Sequence, residues 1–544
     1  MLQHSAARLS RAQIARFAAA LTVTALALPV FAPGAQPAPR PAPGSASRPT
    51  LVLLIAVDQL RPDYFDRWQT QLVGGLARLR HSSAYFANGR QNHALTETAP
   101  GHSTMLSGRW PAHTNIYAND AGVPDDGAPL IAGATKQGAS PRRFMGTALY
   151  DWMRTRDTST RQLSVSRKDR GAILPVGRGG SDVYWWANGR FTTSSYYRTE
   201  LPSWLTEWNG TFDLASFAGR TWSLQLPESA YNEIDDRSYE NNGKELVFPH
   251  VLTSDRALLT DKLERAPWMD SLILDVALRG VRATGVGQRE GHTDLLTISL
   301  STTDAVGHDF GPDSREVHDH VLKLDRWLGD FLDALQAIVP ASRTVVVLTA
   351  DHGVSAMPES DAGRAVNARR LNLVGLADSL GHHFRARYGV DFGFGFDNGL
   401  LIADTDALRA RGVNVAALAS RVAARVKRID GVSAVFTPSS LPQSTSTMAG
   451  LWRRSLPPRL GWLIAASTRP GVIFSDGKRA EHGTNHAETM RVPILFSGAG
   501  IRAASHSRPI DTVDIAPTLA AYLGLTPSER LDGRVLPEVV KARR

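Results

Sequence analysis

The chain has no cysteine. That excludes disulfide staples, a thiol nucleophile, Cys-ligated zinc and a lipid anchor on a lipobox cysteine. Any metal must rest on His, Asp, Glu and hydroxyl groups. A chain of 544 residues can do without staples, because its core is large enough. Basic runs interleaved with aromatics are also missing. The 61 Lys and Arg are dispersed among 52 Asp and Glu, which argues against nucleic acid as a partner. The net charge of +9 and pI of about 9.8 imply only a mild field that favours anionic substrates. No internal repeat is visible, and no membrane-spanning apolar run follows the first thirty-odd residues.

The N-terminus reads as an export signal. Met1 to Arg16 carries Arg8, Arg11 and Arg16 and no acids; Phe17 to Phe31 is almost continuously apolar; small residues follow at Ala32, Gly34 and Ala35. The run is short for a spanning helix, so cleavage near Ala35 is expected, with an uncleaved anchor as the alternative. Removing residues 1–35 lowers the net charge to +6. Residues 36–49 are a Pro/Ala/Ser linker of extended type. The chain is expected to be periplasmic or secreted, with no stable membrane anchor after signal cleavage.

From residue 50 onward the pattern is α/β. Leu51–Val57, Leu295–Leu300, Thr344–Leu348 and Val492–Phe496 are continuous runs rich in Leu, Ile and Val. Such runs predict buried parallel strands with helices on both faces, a three-layer sandwich. Ser314 to Ile338 predicts a helix, with Val317, Val321, Leu324, Leu328, Phe331 and Leu335 at helical spacing. Ile510 to Leu525 predicts a strand-end turn and a short helix. Residues 180–250 and 355–480 lack clean alternation. They predict cap-like insertions, near 180–290 and 355–480, in a catalytic domain spanning 50–544.

Three of those strands run directly into acids and histidines: Asp58, the Asp304…His308 pair, and Asp351-His352. In open α/β sheets functional groups gather at the carboxyl ends of strands. With His482, these residues form a donor set of the size that two adjacent divalent ions require. Asp58 alone fits a helix cap equally well. Gly307 before His308 is expected to let Asp304 and His308 converge, and Gly353 to bend the chain at Asp351-His352. His486 is an alternative ligand or a supporting partner. Thr98 stands in Glu-Thr-Ala-Pro-Gly-His-Ser-Thr, where Pro100-Gly101 predicts a turn and Ser103–Leu106 the start of a helix. A hydroxyl there meets free N–H groups that can hold phosphate oxygens. A capping threonine fits this segment as well, and Thr96 and Ser103 compete for the nucleophile role. Asn119, Lys168 and Arg170 offer an amide and two cations able to clamp a phosphoryl group; alternatively, the two cations belong to a solvated loop.

Together these motifs resemble the alkaline phosphatase superfamily. The likeness is strongest to bacterial phosphate-irrepressible alkaline phosphatases with a Thr nucleophile, which are relatives of type I phosphodiesterases/nucleotide pyrophosphatases. It rests on Asp58, Thr98-x-Pro-Gly-His102, Asp304-x-x-Gly-His308-x-Phe-Gly-Pro, Asp351-His352-Gly353, His482-Gly-Thr and Asp514-Ile-Ala-Pro-Thr. The resemblance implies two Zn2+: one held by Asp304, His308 and His482, the other by Asp58, Asp351 and His352 with Thr98 bound to it. It implies Thr98 as nucleophile, a phosphothreonine intermediate, and Asn119, Lys168 and Arg170 as the clamp that marks a monoesterase. It further implies a monomer acting on small-molecule phosphate monoesters. A phosphodiesterase or nucleotide pyrophosphatase on the same two metals is the alternative, and a binding protein without turnover is a third reading. After His482-Gly-Thr this chain departs from the family's aromatic and acids with Asn485-His486-Ala487-Glu488. Sulfatases are excluded because the turn has neither the required Cys nor its Arg.

Overall fold

Leu51–Val57 is apolar and buried at every position. A strand with no polar face is stable only inside a sheet covered on both sides. In the computed structural model, which describes residues 48–133, 137–475, 477 and 479–540, this segment is β1, near the middle of a ten-stranded sheet. The other strands are β2 (Ala84–Arg90), β3 (Gln162–Ser166), β4 (Val183–Ala187), β5 (Arg190–Thr192), β6 (Asp294–Leu300), β7 (Thr344–Thr349), β8 (Arg491–Gly498), β9 (Ala504–His506) and β10 (Ile510–Asp511). Their order is β9-β2-β8-β7-β1-β6-β3-β4-β5, with β10 also on β2.

The five strands β7, β1, β6, β3 and β4 run parallel. Helices cover the sheet, giving the expected α/β sandwich. Those used below are α1 (Thr98–Met105), α2 (Asp169–Ile173), α3 (Trp268–Thr284), α4 (Thr302–Phe310) and α5 (Arg315–Gln336). The side chain of Ser314 accepts from the Val317 N–H and caps α5, whose apolar stripe Val317, Val321, Leu324, Leu328, Phe331 and Leu335 is buried. Ile510 to Leu525 does form a short strand and then a helix, Ile515–Leu523.

Two expectations about the fold fail. Residues 180–290 are not an insertion throughout, because β4 and β5 belong to the central sheet and α3 packs against β3 and β6. The run Val492–Phe496 lies in β8, which is antiparallel to both β7 and β2. A continuous apolar run reports burial on two faces; it carries no information about direction. Residues 355–480 form a second, four-stranded sheet from Gly395–Asp397, Leu400–Ile402, Val432–Phe436 and Trp462–Thr468. Helices Val374–Tyr388 and Val415–Val426 pack on it around an apolar cluster of their own. The export signal and all but the last two linker residues lie outside the described residues. Among the described residues, no helix is long and apolar enough to cross a membrane.

Candidate active site

Four adjacent strands end level with one another. Val57 of β1 pairs with Leu300 of β6, Ala56 of β1 with Thr349 of β7, and Ser166 of β3 with Ser299 of β6. Their carboxyl ends deliver, side by side, Asp351-His352 from β7, Asp58-Gln59 from β1, Asp304 and His308 from α4 after β6, and Lys168 from the start of α2 after β3. Neighbouring strands lie about 4.8 Å apart, so residues almost three hundred apart in sequence share one pocket. His482 joins them from the segment that precedes β8, and its Nδ1 donates to the carbonyl of Thr96 (2.8 Å).

The helix bearing Thr98 starts earlier than the sequence suggested. Glu97 is extended and Thr98 is the first residue of α1, so Pro100-Gly101 lies inside the first turn and forms no separate turn. Proline is tolerated there because first-turn N–H groups have no partner within the helix. Gly101 faces the Asp351 main chain so closely that a Cβ would collide with the Asp351 carbonyl oxygen. His102 lies beneath: its Nε2 is 2.9 Å from Ser299 Oγ, and its Nδ1 is 2.9 Å from the Thr98 carbonyl and 3.3 Å from Asp351 Oδ2. Gly101→Ala is therefore expected to lever Thr98 away from Asp351. A displacement of about 1 Å at a reacting group costs about a hundredfold in rate, so kcat should fall by that order while far-UV circular dichroism stays unchanged.

Two donor groups form around these ends: Asp58 with Asp351 and His352, and Asp304 with His352 and His482, each with one donor atom per residue within 4.8 Å of the others. His308 adjoins the second group, its Nε2 lying 3.3 Å from Asp304 Oδ1 and 3.2 Å from His482 Nε2. The three histidines share one arrangement. Nδ1 of His308 faces the Ala480 carbonyl (2.6 Å), that of His352 the Gly353 carbonyl (3.0 Å) and that of His482 the Thr96 carbonyl (2.8 Å). A carbonyl only accepts, so each Nδ1 carries the hydrogen and each Nε2 presents a lone pair to the pocket. Asp58 Oδ1, Asp351 Oδ2 and His352 Nε2 are buried with no hydrogen-bond partner. Buried polar atoms left in that state are costly, and these belong to one donor group. The donor chemistry, carboxylate oxygens and neutral imidazole nitrogens, fits two zinc ions.

The electrostatics are those of a crowded acidic centre. Burial, then Asp304 and Asp351, pushes the Asp58 carboxyl well above its ordinary range. Burial also acts on Asp304, but Lys168 and His308 outweigh it and hold that carboxyl well below its ordinary range. Burial, reinforced by the neighbouring His352 and His308, keeps His482 neutral, well below the usual histidine value.

Two of the three substrate-binding candidates, Lys168 and Asn119, lie beside Thr98. Lys168 Nζ lies 2.5 Å from Asp58 Oδ2, 2.7 Å from Asp304 Oδ2 and 3.3 Å from Thr98 Oγ1. Its side chain is only 9% exposed, which rules out the solvated-loop reading for this lysine. Asn119 accepts from the Ala99 N–H through Oδ1 (2.9 Å), and its own N–H donates to Glu97 Oε2 (2.9 Å). Burial raises the Glu97 carboxyl, opposed first by its hydrogen bonds from Asn398 and Asn119, while the Arg170 guanidinium faces Asp169 Oδ1 at 3.6 Å. The competing hydroxyls are engaged elsewhere. Thr96 Oγ1 donates to the Thr484 carbonyl (2.7 Å), and Ser103 Oγ to the Pro100 carbonyl (2.8 Å). His486 stands apart from both donor groups, with Nε2 3.1 Å from Thr468 Oγ1.

Sequence reasoning passed over Gln59, Ser299 and Asn398. Asn398, at the tip of the second sheet's hairpin, donates to Glu97 Oε1 (2.9 Å) and packs on Gly483. Gln59 carries the one available signal, its place directly after a ligand at a strand end. Gly307 serves a purpose other than the expected convergence of Asp304 and His308: it is an ordinary helical position of α4, and a Cβ there would strike Gln59 Oε1.

The type I phosphodiesterase / nucleotide pyrophosphatase family matches residues 52–483 of the chain. Alkaline phosphatase PhoK of a Sphingomonas species is 32% identical over 536 residues, covering 90% of this chain and 91% of that one. The crystal structure of alkaline phosphatase PafA superposes with a TM-score of 0.82 at 26% identity, covering 91% of this chain and 99% of that one. A PafA structure with substitutions at one Thr, one Asn, one Lys and one Arg superposes equally well, with a TM-score of 0.82.

Proposed function

This chain belongs to the type I phosphodiesterase / nucleotide pyrophosphatase family, and on that premise we propose that it is a zinc-dependent alkaline phosphatase that cleaves phosphate monoesters through Thr98. Its alkaline phosphatase relatives, matched over nine-tenths of both chains, make it a phosphoric monoester hydrolase. The observation that carries the mechanism is the position of Lys168, within 3.3 Å of Thr98 Oγ1 and between the carboxylates of the two donor groups.

In this reading Asp304, His308 and His482 would hold one zinc, and Asp58, Asp351 and His352 would hold the other. Two such ions, when bound, would lower the pKa of the threonine hydroxyl and of water and neutralise charge on the transferring group. Thr98 Oγ1, having lost its proton, attacks phosphorus as the ester P–O bond breaks and the alcohol leaves with a proton from solvent; water then cleaves the phosphothreonine, releasing inorganic phosphate and returning the hydroxyl. The first-turn N–H groups of α1 contribute less than the sequence suggested: that of Ala99 donates to Asn119 Oδ1, Pro100 has none, and that of Gly101 donates to the Glu97 carbonyl. Lys168 and Arg170 supply positive charge, and Asn119 an amide, for the oxygens that a monoester has and a diester lacks. The PafA variant altered at a Thr, an Asn, a Lys and an Arg matches the residue types of Thr98, Asn119, Lys168 and Arg170, which supports this grouping. Residues 1–35 support export of the enzyme to the periplasm or the medium.

The test is kcat/KM on the zinc-loaded protein with p-nitrophenyl phosphate and bis-p-nitrophenyl phosphate side by side, with metal content measured on the same sample. The expected result is two zinc ions per chain and a preference for the monoester of about a hundredfold or more, the worth of one to two charge-assisted contacts. A preference for the diester would transfer the assignment to a phosphodiesterase on the same metals, the activity for which the family is named.

A further inference from the structure

Gln59 follows Asp58 directly and is buried. Its φ is +68°, in the left-handed region that a residue with a side chain seldom occupies. That turn sends its two donors to different carboxylates. The main-chain N–H donates to Asp351 Oδ1 (3.1 Å), and Nε2 donates to Asp304 Oδ1 (2.8 Å). Asp351 belongs to one donor group and Asp304 to the other. The Asp304 oxygen that Gln59 holds is also the one facing His308 and His482, at 3.3 and 3.6 Å. The far side of the amide is confined by Gly307, whose missing side chain leaves room for Gln59 Oε1.

We propose that Gln59 is a positioning residue that couples the two metal half-sites, fixing one carboxylate of each so that filling one site prepares the other. This rests on the two-metal reading above. A neutral amide suits the role, because it orients a carboxylate without competing for the ion as a third acid would. The side-chain bond to Asp304 also sustains the left-handed turn. Losing that bond therefore releases the main-chain bond to Asp351 as well, unless the new residue favours the turn by itself. Glycine does.

The experiment is zinc titration of the apoprotein in competition with a chromophoric chelator, with Co2+ absorption spectra of the same proteins. Wild type, Gln59→Ala, Gln59→Gly and Gly307→Ala are compared. Wild type is expected to bind two ions cooperatively. Gln59→Ala should weaken both by about tenfold or more, the usual effect of losing a partner that orients a metal ligand, and abolish cooperativity. Gln59→Gly should weaken chiefly the ion held by Asp304. Gly307→Ala, which pushes the amide aside with Gln59 intact, should also weaken the Asp304 ion and perturb the Co2+ spectrum. It also carries the test should Gln59→Ala not fold. Independent binding of two ions by wild type, or wild-type affinities in Gln59→Ala and Gly307→Ala, would overturn the coupling. Fewer than two ions in wild type would instead overturn the two-metal reading on which it depends.

Discussion

Thr98→Ala will lower kcat for p-nitrophenyl phosphate by about ten-thousandfold or more, the scale seen when a covalent nucleophile is removed from an intact site. The structure gives the reason for so large a loss. Thr98 is the first residue of α1, is 1% exposed, and is the hydroxyl that Lys168 reaches. Thr96 and Ser103 are bonded to main-chain carbonyls and are not placed to substitute. Alanine is a good helix former, so α1 should persist and zinc content should stay at the wild-type value. Thr98→Ser, which keeps the oxygen, should retain most of the lost activity. Acid quench during turnover followed by peptide mass spectrometry should find phosphate on Thr98 in wild type and on no residue in Thr98→Ala. Undiminished turnover in Thr98→Ala would return the chain to the class of binding proteins or of enzymes with a directly attacking water.

The second large effect is selective. Lys168→Ala/Arg170→Ala should reduce kcat/KM for the monoester by about a hundred- to ten-thousandfold. Each charge-assisted contact contributes about 1.5–3 kcal/mol, and each 1.4 kcal/mol is a factor of ten. The diester should lose far less, because its second substituent occupies the space of the oxygen these cations hold. Losing Lys168 also leaves Asp58 and Asp304 without the cation now 2.5 and 2.7 Å from them. Zinc affinity of the double variant should therefore be equal to wild type or higher. Equal losses on both substrates would mean that Lys168 and Arg170 serve the metal centre and not the choice of ester.

The strand-end residues were legible because their chemistry is written next to their structural cause. Leu51–Val57 followed by Asp58, and Thr344–Leu348 followed by Asp351-His352, announce both a buried strand and what it carries. Thr98 was found through the company of its motif; its segment looks like any capped helix, and the early start of α1 was hidden by a proline that only a first turn accepts. The direction of β8 left no trace in composition, because direction follows from connections elsewhere in the chain. Gln59 was missed for a related reason. Its function depends on a backbone angle and on Gly307, hundreds of residues away, and neither shows in the local sequence. The second sheet is read poorly for a different reason. Its strands Gly395–Asp397 and Leu400–Ile402 are three residues each, too short for periodicity to register.

The level ends of β7, β1, β6 and β3 also set the order of events when the chain folds. The site draws on Asp58, Lys168, Asp304, Asp351 and His482, so no fragment shorter than most of the chain contains it. Parallel pairing across such separations closes long loops and is slow. Catalytic activity should therefore be among the last properties to return on refolding, well after helical signal.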